Sequence, residues 1–323
     1  MARVWLMVSG QPIAIILAAV VTAFSIARGS VFLTGGNLAN VSRQVAFDGL
    51  ATIGQTICLI GGGMDISVGA VMAMATALAI GLQPAGGVPL GVVAALMFGL
   101  AIGSVNGLLV VVARINPFIA TLGTMVAVRG VLLLYTGAKP IAGTVPAFAQ
   151  FGSGVIGFVP VPTAVFVVVL ALAWVAMGWT RFGRNVYTVG ASVEAARLAG
   201  IRTGHVQFAT YVICGFMASL AGVLLAARLN AASIHLGSDT GLLTIAGAVM
   251  GGTSIFGGRG SVIGGALGIL ALGLLGNGMD LVGFDTYTQT AVRATLLIAV
   301  VAVGSFVSSR AARERLQAVW VSR

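Results

Sequence analysis

PLGVVAALMFGLAIGSVNGLLVVV, residues 89–112, contains no charged side chain. As a helix rising 1.5 Å per residue it would extend about 36 Å, more than the roughly 30 Å hydrocarbon core of a bilayer. Inside it Gly91, Ala95, Gly99, Gly103 and Gly107 recur at every fourth position, on one helix face. Gly69, Ala73, Ala77 and Gly81 repeat the spacing, and Gly264 and Gly268 begin a third row. An interior glycine costs a soluble helix about 1 kcal/mol relative to alanine. Between membrane helices it is tolerated, because small residues let two backbones approach closely. The rest of the chain agrees: of 323 residues 59% are hydrophobic, 7% are charged and 47 are glycine, with a mean hydropathy of +1.09. The fold class read from this is all-α, a polytopic integral membrane protein, with 1–323 forming a single transmembrane domain.

Apolar runs place candidate spans at 12–27, 45–62, 66–82, 89–112, 117–136, 160–180, 206–227, 241–256, 261–279 and 287–307. That makes about ten transmembrane helices, of which 241–256 is short enough for a re-entrant half-span. The Pro- and Gly-rich segment 143–162 reads as a loop with little regular structure. Arg3 followed by IAIILAAVVTAFSIA (13–27) has features of a signal peptide, but an uncleaved first span is the more economical reading in a chain embedded throughout. Arginines orient the molecule. Arg3, Arg114, Arg181, Arg184, Arg197, Arg202, Arg259, Arg310, Arg313, Arg315 and Arg323 gather on one side, against Arg28, Arg43, Lys139 and Arg228 on the other. Both termini are therefore expected in the cytoplasm.

The composition argues against catalysis. Only 7 acidic residues exist, and no HExxH, GxSxG or Walker pattern accompanies them. Cys58 and Cys214 lie apart within apolar runs, and His205 and His235 are isolated, so no metal site is expected. The net charge of +10 reflects arginines at span ends, facing membrane lipid and giving no reason to expect nucleic acid. Asp65 and Asp239 are placed to cap the helices starting near Ser67 and Gly241; Asp280 and Asp285 also fall at span ends. Arg129 and Arg293 lie in apolar spans near the outer face, with Asp48 as a partner for either. No proton relay is visible. The chain reads as a pathway without its own energy source: no enzyme, and no cofactor of its own.

ASVEAARLAGI, 191–201, stands out as polar. Ser192 suits an N-cap, Glu194 suits the first turn and Gly200 suits a left-handed stop. A helix over 193–199 is too short to persist alone; it is a connector, or a knob that docks on a soluble protein. IGGGMDISVGAVMA (60–73) and MGGTSIFGGRGSVIGGA (250–266) resemble one another, an echo of internal duplication. Their turn residues are Gly62, Gly63, Asp65, Ser67 and Gly69, and Gly257, Gly258 and Gly260. Asn106, Asn116 and Thr121, with Phe118 beside them, are candidates for a translocation pathway, since a hydroxyl-rich substrate needs neutral hydrogen-bonding groups. The alternative is that Asn106 bonds a neighbouring helix and Asn116-Pro117 starts the fifth span.

Four segments in order, GGGMDISVGA (61–70), NGLLVVVARINPFIATLGTM (106–125), GRNVYTVGASVEAARLAGI (183–201) and GAVMGGTSIFGGRGSVIGGALG (247–268), resemble the permease subunits of ribose/xylose-type ABC sugar importers. Ile66 stands where that family usually has Leu. The resemblance implies an inner-membrane subunit that works as a pair, homodimeric or heterodimeric. It also implies a cytoplasmic ATPase that binds ATP and Mg, and a periplasmic solute-binding protein. The stretch 183–201 resembles the family's coupling loop, which makes Gly183, Arg184, Gly190, Glu194, Ala195, Ala196, Arg197, Gly200 and Ile201 the expected ATPase contact. The sugar stays open among pentoses, hexoses, furanoses and furanosyl autoinducer-2. The other readings are an ABC permease for nucleosides or branched-chain amino acids, and an ion-driven secondary transporter.

Overall fold

Every residue from Gly49 to Ile60 is buried, and the helix that carries them organises the molecule. In the computed structural model, which describes residues 12–292 together with 294, 295 and 298, α1 is Pro12–Phe32 and this central helix, α2, is Gly35–Ile60. It starts earlier than the expected 45 because its polar beginning is satisfied: Thr34 Oγ1 accepts from Asn37 N at 3.4 Å, and Asn37 and Asn277 exchange amide bonds at 2.8 Å.

Then come α3 (Val68–Gly81), α4 (Gln83–Gly107, continued by a π-helical turn, Leu108–Val112) and α5 (Pro117–Thr136). Helix α4 bends at Gly86 and Gly87, ahead of Pro89, so its straight part matches the expected span 89–112. The segment expected to be irregular is partly ordered. Strand β1 (Ile141–Ala142) is followed by α6 (Pro146–Ser153) and by the hairpin of β2 (Val155–Ile156) and β3 (Val159–Pro160). Proline at the first position of α6 starts that helix without losing a bond. Helix α7 (Val161–Trp179) leads to α8 (Arg181–Ala191), α9 (Val193–Leu198) and the long α10 (Thr203–Leu229). Strand β4 (Ala231–Ala232) pairs antiparallel with β1. Helices α11 (Thr240–Met250) and α12 (Val262–Val282) complete the order, and residues 286–292 are helical again. Among the described residues the regular structure is thus helical apart from four two-residue strands. Apart from residues 294, 295 and 298, the remainder of the expected last span, Arg293 included, lies outside the described residues.

Among the described residues six helices are long and apolar enough to cross a membrane: α1, α4 with its π-turn, α5, α7, α10 and α12. Helices α3, 14 residues, and α11, 11 residues, are not. At 1.5 Å per residue they reach only about 21 and 16 Å. The half-span expected at 241–256 is accordingly shorter still, and α3 joins it.

The four-residue glycine rows are the seams between these helices. A Cβ on Gly91 would strike the Ala79 carbonyl of α3; on Gly99 it would strike Ser219 and the Gly215 carbonyl of α10. On Gly107 it would meet the Phe208 ring, and on Gly268 the Gly247 carbonyl of α11. We expect Gly99→Val to destabilise the purified protein by about 1–3 kcal/mol or more, since neither backbone can retreat. Gly178→Val, on α7 where nothing lies within 4 Å, should leave the melting temperature near the wild-type value. Equal melting temperatures for the two variants would refute this packing.

Candidate functional site

Three segments far apart in sequence converge at one end of the bundle: the turn 60–63 after α2, the end of α8, and the turn 257–260 before α12. Their contacts are backbone on backbone. A side chain on Gly190 would run into the Ile60 carbonyl and Gly258 N. Gly258 donates its N–H to the Ile60 carbonyl at 2.9 Å with φ +71°, a conformation that penalises any residue with a Cβ. From α8 the Tyr187 hydroxyl donates to the Gly260 carbonyl at 2.9 Å. Burial pushes that phenol above its ordinary value, so it stays a donor. The two glycine-rich turns that echo each other in sequence therefore meet in space and jointly seat α8.

Helix α8 was not foreseen as a helix; the stretch was expected only as part of the coupling loop 183–201. Thr180 caps it, accepting from Gly183 N at 3.2 Å. Its inner face is Gly183, Val186 and Val189, all buried, while Arg184 is exposed. Helix α9 forms as expected from its caps. Ser192 Oγ accepts from Ala195 N at 3.2 Å, Glu194 sits in the first turn, and Gly200 is left-handed at φ +77°. Ala196 is buried and Ile201 half-buried, which leaves Glu194, Ala195, Arg197 and Leu198 facing out. Leu198 is 90% exposed, and Phe256 in the neighbouring turn is 88% exposed. Neither was singled out in the sequence, because one apolar residue in a short polar stretch carries no pattern until its outward direction is known.

A second cluster lies deeper, behind the 60–63 turn. Residues 64–67 are not helical, and the N–H groups of Met64, Ile66 and Ser67 find partners one by one. Met64 N donates to the Tyr211 hydroxyl at 3.2 Å, Ile66 N to Thr121 Oγ1 at 3.1 Å, and Ser67 N to Asp65 Oδ1 at 2.8 Å. The Ser67 hydroxyl also donates to Asp65 Oδ1, at 2.6 Å, and Asn106 Nδ2 reaches Asp65 Oδ2 at 3.1 Å and Ser67 Oγ at 2.9 Å. Asp65, Ser67, Asn106 and Thr121 are all buried. The expected cap at Asp65 is thus a turn one step ahead of α3, while Ser67 holds the N-cap position without a capping bond of its own.

Of the four residues considered for a pathway, the structure brings Asn106 and Thr121 into this cluster and gives the Asn106 amide nitrogen and the Thr121 hydroxyl partners within the protein, while Asn106 Oδ1 is buried without one. Asn116 caps α5, accepting from Phe118 N at 2.9 Å, and Phe118 is exposed. Asn106 bonds the turn ahead of α3, and Asn116 starts α5. A polar cavity of about 350 Å³ near the opposite end is lined by Asn40, Gln44, Asp48, Arg228, Asn277 and Asp280 among others; none of the four borders it.

Two charge assignments change. Arg129 donates to the Ile234 carbonyl and, at 3.1 Å, to Ser238 Oγ, so its partner is the segment before α11 and not Asp48. Asp239 holds the N-cap position of α11, yet its side chain makes no capping bond. No group of three or more metal-ligating side chains exists among the described residues.

Two substitutions test the site. Asn106→Ala removes two donors from the buried Asp65–Ser67 pair and should lower stability by roughly 1–3 kcal/mol, read as a fall in melting temperature. Gly190→Ala should loosen the convergence of the two turns, exposing the backbone amide of Gly258 to faster hydrogen exchange. Unchanged exchange at Gly258 would mean that α8 is not seated there.

Residues 37–301 match the family described as "Branched-chain amino acid transport system / permease component". The ribose import permease protein of Bacillus subtilis (strain 168) is 38% identical over 84% of this chain and 85% of its own length. That of Escherichia coli (strain K12) is 36% identical over 93% and 94%. The D-allose transport system permease protein of the same strain is 33% identical over 91% and 90%. No solved structure gives a significant match.

Proposed function

This chain belongs to the family of branched-chain amino acid transport system permease components, and we propose that its task within that family is to carry a monosaccharide as the permease subunit of an ABC importer in the inner membrane. The observation that carries this reading is the likeness, over 93% of the chain, to a permease named for ribose import. A pentose is the first substrate to test, ahead of a hexose or a furanose.

The remaining parts are carried over from the importer reading. A separate ATPase binds ATP and Mg and supplies the energy, in keeping with the lack of a phosphate-binding motif in this sequence. A periplasmic binding protein delivers the sugar, and a second permease copy or a sister subunit completes the path. Arg181, Arg184, Arg197, Arg202 and Arg259 all belong to the α8–α9 end, which supports reading that end as cytoplasmic.

In this reading residues 183–201 are the coupling loop, and α9 is what the ATPase grips. Its outward face pairs a charged couple, Glu194 and Arg197, with the apolar Leu198. Such a face is costly to leave in water and well suited to a protein surface. Helix α8 lies beneath it, seated on Ile60 and Gly258. A push on α9 therefore reaches the end of α2 and the start of α12 through backbone contacts, with little side-chain slack.

The test is uptake of labelled D-ribose into vesicles holding the permease with its ATPase and binding protein. Uptake should need ATP; uptake that persists on a proton gradient with ATP depleted would refute the ABC reading. Glu194→Arg should leave insertion intact and lower sugar-stimulated ATP hydrolysis by about ten-fold or more, since a charge of the wrong sign buried at an interface costs several kcal/mol. Unchanged stimulation and uptake would return this stretch to a connector.

A further inference from the structure

Two spans of this protein are broken, and the breaks touch. A Cβ on Gly69, one step into α3, would strike the Gly237 carbonyl, and one on Gly241, at the start of α11, would meet the Ile66 carbonyl at 2.6 Å. Gly69 lies twelve residues before the end of α3 at Gly81, hence about 18 Å along that helix. Helix α11 runs about 16 Å in the other direction to the glycine turns at the α8 end. Together these lengths fill the roughly 30 Å of hydrocarbon, which puts Gly237 near its middle.

Irregular backbone at that depth is tolerated only where protein buries it or where it lines water. The two breaks differ on this point. Asp65, Ile66 and Ser67 are buried, and the N–H groups of Ile66 and Ser67 are satisfied as described. In the other break His235, Ser238 and Asp239 are exposed. Arg129 comes to the same place from α5 and fastens it, donating to the Ile234 carbonyl and Ser238 Oγ. A cation, a carboxylate, an imidazole and a hydroxyl thus share one open ledge at mid-depth. Intramembrane charges of this kind mark substrate routes, and the mixture of donors and acceptors suits a solute made of hydroxyl groups.

We propose that residues 233–239, fastened by Arg129, line the aqueous route of the sugar, with His235, Ser238 and Asp239 as the groups it meets at mid-membrane. This rests on the importer reading for the nature of the solute, though not for the presence of water.

The experiment uses the full chain assembled in membranes with its partner subunits, with the buried Cys58 and Cys214 replaced by Ala. Single cysteines are placed at His235→Cys, Ser238→Cys and, as a lipid-facing reference on α7, Leu172→Cys. A charged, membrane-impermeant methanethiosulfonate should react with one or both ledge cysteines at least about ten-fold faster than with Leu172→Cys, because thiolates form in water and not in lipid. The adduct at the reactive position should also halt uptake. Reaction at neither ledge position above the reference rate overturns the proposal, and so does an adduct that leaves uptake unchanged. Labelling requires no particular sugar. A chain that carried another polar solute would still be labelled while failing ribose uptake, so failure of the two readings is told apart.

Discussion

A helix of 14 residues or of 11 cannot reach across the hydrocarbon of a bilayer, and the backbone that completes each crossing must find its hydrogen bonds elsewhere. That constraint organises this structure. Around the first break three elements contribute one group each: Tyr211 from α10, Thr121 from α5 and Asn106 from α4. Around the second, Arg129 from α5 supplies the donors. The central position of α2 and the long contact of α4 with α10 bring those groups within reach. An unsatisfied amide at that depth would cost several kcal/mol, so the breaks and their attendants stand or fall together.

Glycine makes the arrangement possible sterically. Carbonyls of one helix lie where a neighbour's Cβ would be at Gly91, Gly99 and Gly268, so helices meet along backbone ridges instead of interdigitated side chains. The same device operates at the α8 end, where Gly190 rests on the Ile60 carbonyl. Backbone contacts of this kind have fewer alternative arrangements than flexible side chains do. A short helix seated on them has little freedom to shift independently of the spans beneath it.

The echo between 60–73 and 250–266 acquires a physical meaning here. Each turn joins a long helix to a short one, in opposite order: α2 then α3, and α11 then α12. Inverted pairing of broken helices around a midplane is a recurring way to build a route through a membrane protein. In this chain only one of the two breaks is open, which sets apart the ledge of His235, Ser238 and Asp239 from the buried cluster around Asp65.

Local rules made much of this legible in advance. Uncharged runs marked the long spans, four-residue glycine spacing marked the seams, and Ser192, Glu194 and Gly200 marked the ends of α9, because each depends on neighbours a turn away at most. Family likeness was legible for the same reason, since it rests on contiguous motifs. What the sequence did not reveal depended on partners remote in the chain. The polar start of α2 was not recognised as helix until Asn277, two hundred and forty positions away, paired with Asn37. Asp65 read as an ordinary cap, yet its environment is set by Asn106; Arg129 read as snorkelling, yet it is tied to Ser238. Whether a neutral polar residue faces a route or a neighbour is decided by the direction it takes in three dimensions, and only the tertiary structure supplies that direction.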